Sequence, residues 1–349
     1  MGRKKVQPQA TAEHTATAIS SISIDLGNAY SSVRADGGID ADWRSVQARL
    51  GTSSQMTAPP FDSTIKLQNE WYVFGAAAYT YATQIEDYTT TDRYTTPWYK
   101  RLFAFALHKA YGLRVSESPF YPRVVASIPA KEYANDARVA LVKDNLVGGY
   151  VIGNILDGDA LQVVIDPENL TIIPEGLGAY YSMLSTADNG GLSVYSSGQW
   201  AVLDLGYLTA DLVMFRDGNY MPEKSTSDAN YGMQEIAATV AKYVRGQGGA
   251  DMPPEYYDGQ LACDSVTVSG KTYAIKAARD TALAALGEGL GRFVAKAARG
   301  QSLSGLLLAG GGAEFFRDKI KVAGMPPVIT IPNARRANVN GAFGLITEG

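Results

Sequence analysis

The chain has 349 residues, 46% hydrophobic and 19% charged, enough for two domains that each bury a core. A net charge of −4 provides no basic excess to attract nucleic acid by counterion release, so no direct nucleic-acid binding is expected. One cysteine, Cys263, and two histidines, His14 and His108, exclude a disulfide framework and a thiolate zinc cluster and leave little for a Ser-His-Asp triad.

Residues 1–18 are polar, small and without apolar period, and read as a disordered arm. Its basic start lacks the apolar stretch of a secretory signal, and no run of about 18 apolar residues follows anywhere, so a cytoplasmic protein without a membrane span is expected. "AISSISIDLG" reads as a strand and "SSVRA" as its hairpin return. "EWYVFGAAAYTYA" starts as a strand and ends as a helix. "TTPWYKRLFAFALHKAYG" predicts a helix capped by Thr96, with Pro97 at its first position, Gly112 as its stop, and Leu102, Phe105, Ala106 and Lys109 near one face. "RVVASIP" is a buried-type strand, and "AKEYANDARVALVKDNL" reads as helical. "ALQVVIDPENLTIIPEG" holds two strands about the Asp166-Pro167 turn, and "LGAYYSMLS" is a helix. "STADNGGLSVYSSGQ" reads as a loop and marks a domain boundary. A β-type pattern restarts at Trp200. There follow a helix stopped by Gly246, a hairpin turning at Ser269-Gly270, a long helix from Ala278 to Gly300, a strand running into three glycines, and a terminal helix in "ANVNGAFGLITE".

Two turns carry the same phrase. Ile24-Asp25-Leu26-Gly27 leads into Asn28, Ala29 and Tyr30. Leu203-Asp204-Leu205-Gly206 leads into Tyr207, Leu208 and Thr209. Each ends a buried strand on an Asp and turns through a Gly, and such a turn points several backbone N–H groups at one anion. A phosphate beside those carboxylates requires a cation between them, which Mg²⁺ held through water by Asp25 and Asp204 would supply. Either turn alone reads more readily as a β-hairpin using Asp and Gly as turn formers; the repetition favours a paired grip. Gly310-Gly311-Gly312-Ala313 joins a strand to a helix, where the backbone can approach a ligand closely. Glu175, in Pro174-Glu175-Gly176, stands at a helix mouth and can orient a water for attack on a γ-phosphate, or simply complement the helix dipole. Gly270-Lys271-Thr272 breaks the spacing of a phosphate-binding loop, and Gly287-Glu288-Gly289-Leu290-Gly291 lies within a helical pattern.

The order of these pieces resembles the actin-like ATPases, and most of all the plasmid-segregation actins (ParM and relatives). "IDLGNAYSS" and "LDLGYLTAD" resemble the two phosphate loops, "LLLAGGGAE" the adenosine segment, and "IPEGLGAYYSML" and "ANVNGAFGL" the connecting helices. "SIPAKEY" and, loosely, "STSDANYGM" also have counterparts. The resemblance implies an α/β fold of two ribonuclease-H-like domains flanking a nucleotide cleft: domain I over 19–194 plus 331–349, and domain II over 195–330. It implies Glu175, Asp25 and Asp204 as catalytic. It also implies nucleotide contacts from Gly27, Asn28, Ala29 and Tyr30, from Gly206, Tyr207 and Thr209, and from Gly310, Gly311, Gly312 and Ala313. It further implies Mg²⁺ with ATP or GTP as the ligand, and further copies in a filament and a DNA-bound adaptor as partners. Tyr30 and Tyr207-Leu208 depart from the small residues usual in such loops. Two other functions stay open on this fold: a small-molecule kinase, for which no substrate base is identifiable, and a non-hydrolysing adaptor.

Overall fold

Trp200–Leu205 is apolar but for Asp204, and Ile22–Leu26 alternates apolar residues with Ser23 and Asp25; both segments become central strands covered on two faces. The computed structural model describes residues 20–51, 61–81, 85–86, 93–112, 118–153, 160–186, 192–321 and 327–347; the arm expected at 1–18 lies outside them. Elements are numbered along the chain. The first sheet contains β1 (Ser21–Leu26), β2 (Tyr30–Ala35), β3 (Ile39–Arg44), β7 (Arg123–Ile128) and β10 (Leu170–Pro174), in the order β10-β7-β1-β2-β3. β1, β2 and β3 form an antiparallel meander, whereas β7 and β10 run parallel to β1. The second sheet repeats this plan with β11 (Gln199–Leu205), β12 (Ala210–Arg216), β13 (Asn219–Tyr220), β17 (Gly305–Ala309) and β18 (Val328–Thr330). Here β11, β12 and β13 are the meander and β17 and β18 the parallel strands. β14 (Thr226–Asp228) adds to β12.

A third sheet, β4 (Gln47–Gly51), β5 (Thr64–Leu67), β6 (Glu70–Phe74), β8 (Gly148–Gly153) and β9 (Ala160–Ile165), has the order β4-β6-β5-β8-β9. The strands expected on either side of Asp166-Pro167 therefore belong to different sheets. β15 (Ser265–Val268) and β16 (Lys271–Ala274) form the expected hairpin, with Ser269 and Gly270 both left-handed at φ 49° and 78°.

Helix α1 (Ala76–Tyr81) follows β6. α2 (Pro97–Tyr111) begins at Thr96, whose side chain accepts from Tyr99 N, and stops at Gly112 at φ 62°. The apolar spacing predicts one buried face. The helix is instead buried nearly all round, His108 included, because the first sheet, the third sheet and α4 cover different sides. Burial holds the His108 imidazole down at about 4, a neutral core residue. The helix expected over 130–146 breaks in two, α3 (Ala130–Tyr133) and α4 (Asp136–Leu146). Asn135 takes an extended backbone and caps α4 by accepting from Arg138 N at 3.2 Å, a turn-type bond that outcompetes helix continuation.

α5 (Leu177–Thr186) follows β10, and a four-residue helix, α6 (Leu192–Tyr195), lies within the expected loop. α7 (Gln234–Gly246), α8 (Pro254–Asp258), α9 (Lys276–Ala297) and α10 (Ala313–Phe316) belong to the second half, and α11 (Ala337–Thr347) ends the described chain. Gly287, Gly289 and Gly291 lie inside α9, as expected, and are buried in its packing. α7 and α9 share a core with one face of the second sheet. α5 covers the opposite face: Ala179, Tyr180 and Met183 pack on Val202, Val213, Phe215 and Leu307, with Tyr180 stacked on Phe215 at 3.8 Å. α11 packs on β1 and β7 of the first sheet and directly against α5. This helix pair is thus the solid material between the two sheets. No described helix is long and apolar enough to cross a membrane.

Candidate functional site

β1 ends on Asp25 and Leu26, and the chain turns back so that Asp25 opposes Ser32 and Leu26 opposes Ser31. β11 does the same, with Asp204 opposite Asp211 and Leu205 opposite Ala210. Neither Gly27 nor Gly206 has a positive φ. They are needed for space: a side chain at Gly27 would overlap the Tyr30 carbonyl oxygen, and one at Gly206 would stand 3.1 Å from that of Thr209. Gly206 N closes its turn on Thr209 O at 2.9 Å. Ser45 braces the first turn from behind, donating to Gly27 O at 2.6 Å, with Ser31 Oγ 2.8 Å away.

β17 leads into the three glycines. Gly310 is left-handed at φ 81°, donates to Ala334 O at 2.9 Å, and has the Leu205 carbonyl oxygen 2.6 Å from where a Cβ would sit. Gly312 donates to Leu205 O at 3.0 Å and packs against Leu205 and Met233. Only Gly311 has open space before it, with the Arg335 guanidinium as its nearest neighbour.

The two turns and the glycine segment wall an open cleft. Asp25, Gly27, Asn28, Ala29 and Tyr30 line one side of it, and Asp204, Gly206, Tyr207 and Thr209 the other. Glu175 and Gly310, Gly311 and Gly312 complete the set expected from sequence, except that Ala313 is fully buried in the second core and lines nothing. Ser32, Met233, Asp258, Phe315, Arg335 and Asn338 also line the cleft and were not expected. Met233 ends the loosely matched "STSDANYGM", and Asn338 lies in the "ANVNG" of the terminal helix. Asp258, Phe315 and Arg335 carry no sequence signal.

The cleft floor concentrates negative charge. Burial, then Asp25 and Asp211, push Asp204 from its ordinary 3.8 up to about 7, against the donation from Asn338 Nδ2. Burial and the carboxylates of Asp211, Asp25 and Asp204 push Glu175 well above the usual range, with Arg93 opposing. Asp25 is raised by burial although Ser127 Oγ donates to it at 3.0 Å. Asp211 is raised by burial although it accepts from Ser227 Oγ and, at 2.8 Å, from Ala130 N at the start of α3. Lys131 N donates to Ser227 Oγ at 3.0 Å beside it. Asn338 ties the floor together: its Oδ1 accepts from Gly176 N at 2.9 Å and Ala179 N at 3.2 Å while its Nδ2 faces Asp204.

Such a floor is relieved by protonation or by a cation. No group of three His, Cys, Asp or Glu among the described residues is placed to hold a metal directly. The two carboxylates Asp25 and Asp204, both lining the cleft, suit a hydrated Mg²⁺ reached through water, the habit of an ion that gives up its shell reluctantly.

Asp204 makes a stability prediction. Its folded value lies above its unfolded one, so its contribution is fully present below about 3.8 and is lost as pH rises through about 7. The gap corresponds to on the order of 4 kcal/mol at most. Without nucleotide, Asp204→Asn is expected to melt several degrees above the parent at about pH 8, the difference narrowing towards about pH 5. Equal melting temperatures at the higher pH would sink this account of the floor.

At the rim, Arg44 Nη1 donates to Glu255 O at 3.1 Å, joining β3 to α8, and Tyr207 OH donates to Glu255 Oε1 at 3.1 Å. The Tyr30 ring has the guanidinium of Arg335 4.6 Å from its centre and that of Arg44 at 5.4 Å. The two bulky departures in the turns are thus both held at the rim by named partners.

Residues 202–322 match the family model described as archaeal actin homologue MreB-like, C-terminal. No curated protein matches the chain by sequence. Among solved structures, the archaeal actin homologue Ta0583 superposes with a TM-score of 0.79 at 17% identity, over 95% of this chain and 100% of that one. A non-polymerisable quadruple mutant of pCBH ParM gives 0.77 at 18%, again over 95% and 100%. A 15-stranded ParM filament from Clostridium botulinum gives 0.76 at 19%, with the same coverage. Ta0583 has also been solved in complex with ADP, and a Bacillus thuringiensis ParM with AMPPNP. The expected resemblance to the actin-like superfamily, and to ParM within it, is borne out, and the likeness is one of fold.

Proposed function

From the actin-like fold that this chain has, we propose a nucleotide-dependent, filament-forming ATPase or GTPase of the cytoplasm that positions DNA or other cargo, as in plasmid segregation, through a DNA-bound adaptor. The observation that carries the reading is the meeting of both Asp-Leu-Gly turns, the three glycines and Glu175 in one cleft. In this reading the backbone N–H groups of the two turns grip the phosphates from both sides. Asp25 and Asp204 hold Mg²⁺ through water, oriented by Ser127 and Asn338 respectively. When bound, the ion neutralises phosphate charge beside the acidic floor. Glu175 orients a water towards the γ-phosphorus and takes its proton; the new P–O bond forms as the bond to the β-phosphate oxygen breaks. Met233 and Phe315, beyond the glycines, take the base end. The lobes of this machine are 19–194 with 331–349 and 195–330, with the α5–α11 pair between them.

High-speed sedimentation with Mg-ATP, Mg-GTP, Mg-ADP or no nucleotide, with phosphate read from the same tubes, tests the proposal. Triphosphate-dependent pelleting accompanied by phosphate release is the expected result. Phosphate release without pelleting at any protein concentration would remove the filament. Pelleting indifferent to nucleotide would make the cleft vestigial and the protein a structural adaptor.

A further inference from the structure

Arg335 and Arg336 are neighbours in the short turn before α11, and their side chains have opposite fates. Arg336 donates to Asp40 Oδ1 at 2.7 Å and to Val33 O at 3.0 Å and pairs with Asp42, all on the first sheet. Arg335 has no hydrogen-bond acceptor and no ion-pair partner among the described residues. Its backbone is nevertheless fixed. Ala334 O accepts from Gly310 N at 2.9 Å, and Arg336 N donates to Asn333 O at 2.7 Å. The turn is thus bolted to the glycine segment on one side and to the first sheet on the other, with the Arg335 guanidinium left over.

Two contacts place that guanidinium. Its Nε and one Nη stand 3.8 and 4.0 Å from where a Cβ of Gly311 would sit. Its carbon lies 4.6 Å from the centre of the Tyr30 ring, a platform that steers a guanidinium without using its donors. It therefore stands where the first turn and the glycine segment meet. Arg44, the other guanidinium at Tyr30, is committed to Glu255 O at 3.1 Å. Arg335 is also the one cationic side chain among the described residues that line the cleft, against the carboxylates of Asp25, Glu175, Asp204 and Asp258. A polyphosphate entering this cleft adds negative charge to an acidic wall. Mg²⁺ held through water at Asp25 and Asp204 offsets part of it, and Arg335 is the lining cation left to meet the rest.

We propose that Arg335 is a nucleotide-binding residue whose guanidinium forks onto the α-phosphate, so that it sets how tightly any nucleotide is held and takes no part in telling triphosphate from diphosphate. The inference rests on the nucleotide reading above, in which the terminal phosphates lie between the two turns and the base lies beyond the glycines at Met233 and Phe315. The phosphate next to the ribose then falls at the joint of turn and glycine segment, beside Arg335. A guanidinium there donates two parallel bonds to phosphate oxygens, a geometry that lysine does not reproduce.

The test is calorimetric titration of Mg-ADP, Mg-AMPPNP and the guanine pair into wild type, Arg335→Gln and Arg335→Lys, with AMP measured by its displacement of a fluorescent ADP. Arg335→Gln is expected to weaken all five ligands by one common factor of about tenfold to a hundredfold, the range for hydrogen bonds to a charged group. Arg335→Lys keeps the charge without the fork and should recover part of that loss. Without nucleotide, both variants should melt within about 2 °C of wild type, because only the contact with Tyr30 is given up. A loss confined to the guanine nucleotides would put the guanidinium on the base edge, and a loss confined to the triphosphates would put it on the terminal phosphate; either overturns the proposal. So does wild-type affinity in Arg335→Gln, or a failure of AMP to displace the fluorescent ADP from wild type at any soluble concentration. If wild type binds neither diphosphate nor triphosphate, the nucleotide reading fails and this inference with it. If it binds both and Arg335→Gln binds them equally well, only the inference falls.

Discussion

Phosphate release is expected to fall by about 10²–10⁴-fold when Glu175 is replaced by Gln, the range for loss of a positioned general base, with nucleotide affinity changed by less than about threefold. The backbone is well fixed for that role. Glu175 N donates to Ile128 O at 2.7 Å, extending the β7–β10 ladder by one step, and Gly176 then turns the chain at φ 87°. A side chain at Gly176 would meet Val213 at 2.6 Å, so the kink that aims Glu175 has no other occupant. The Gln variant keeps the shape and loses the base. Burial and three neighbouring carboxylates hold Glu175 above the usual range, and only the unprotonated form accepts a proton. Phosphate release in the parent should therefore rise with pH above the range of an ordinary carboxylate, and this limb should vanish in Glu175→Gln. Single-turnover phosphate release across the pH range reads both effects. An unchanged rate, or an acid limb that survives the substitution, removes Glu175 from the chemistry.

The second large effect is mechanical. α5 and α11 cross where Gly178 meets Gly341: a Cβ at Gly341 would overlap the Gly178 carbonyl oxygen, and one at Gly178 would overlap that of Asn338. Backbone stands against backbone there, so no rotamer change can make room. Gly341→Val should cost about 3 kcal/mol or more, the upper part of the overpacking range, and weaken nucleotide binding with it. The coupling runs through Asn338, one turn earlier on α11, which holds Gly176, Ala179 and Asp204 at once. Gly344→Ala is the matched control. It lies on the same helix with nothing within 4 Å of an added methyl, and should stabilise by about 0.5–1 kcal/mol. Urea unfolding and nucleotide titration of both variants separate the cases; a tolerated Gly341→Val would show that the helices can part without harm.

What the sequence made legible was local. An Asp at a strand end and a Gly one step beyond Leu are set by neighbours along the chain, and the structure brings both copies to one cleft. The carboxylate floor was less visible because it is assembled from four strands. Asp211 reads as an ordinary strand residue until the register sets it opposite Asp204, in the place that Ser32 takes opposite Asp25. Arg335 lies far from both turns in the sequence and reaches the cleft only through tertiary packing. The split between α3 and α4 shows the reverse failure: the apolar spacing of 130–146 suits a helix, but Asn135 offers its own side chain to the backbone and ends the run. Ala313 was drawn into the expected set by adjacency to the glycines, although the first residue of α10 faces the core.

The floor bonds from Ala130 to Asp211 and from Lys131 to Ser227 involve backbone donors of one sheet's connections and acceptors on the other sheet's strands. They need no ligand to form. A cleft fastened at its base moves as a lever: a small rotation about the fastening is magnified in proportion to the distance from it. The Arg44–Glu255 bond, joining β3 to α8, must yield to any such rotation. A pair of labels on β3 and α8 would therefore report a rotation of one half against the other.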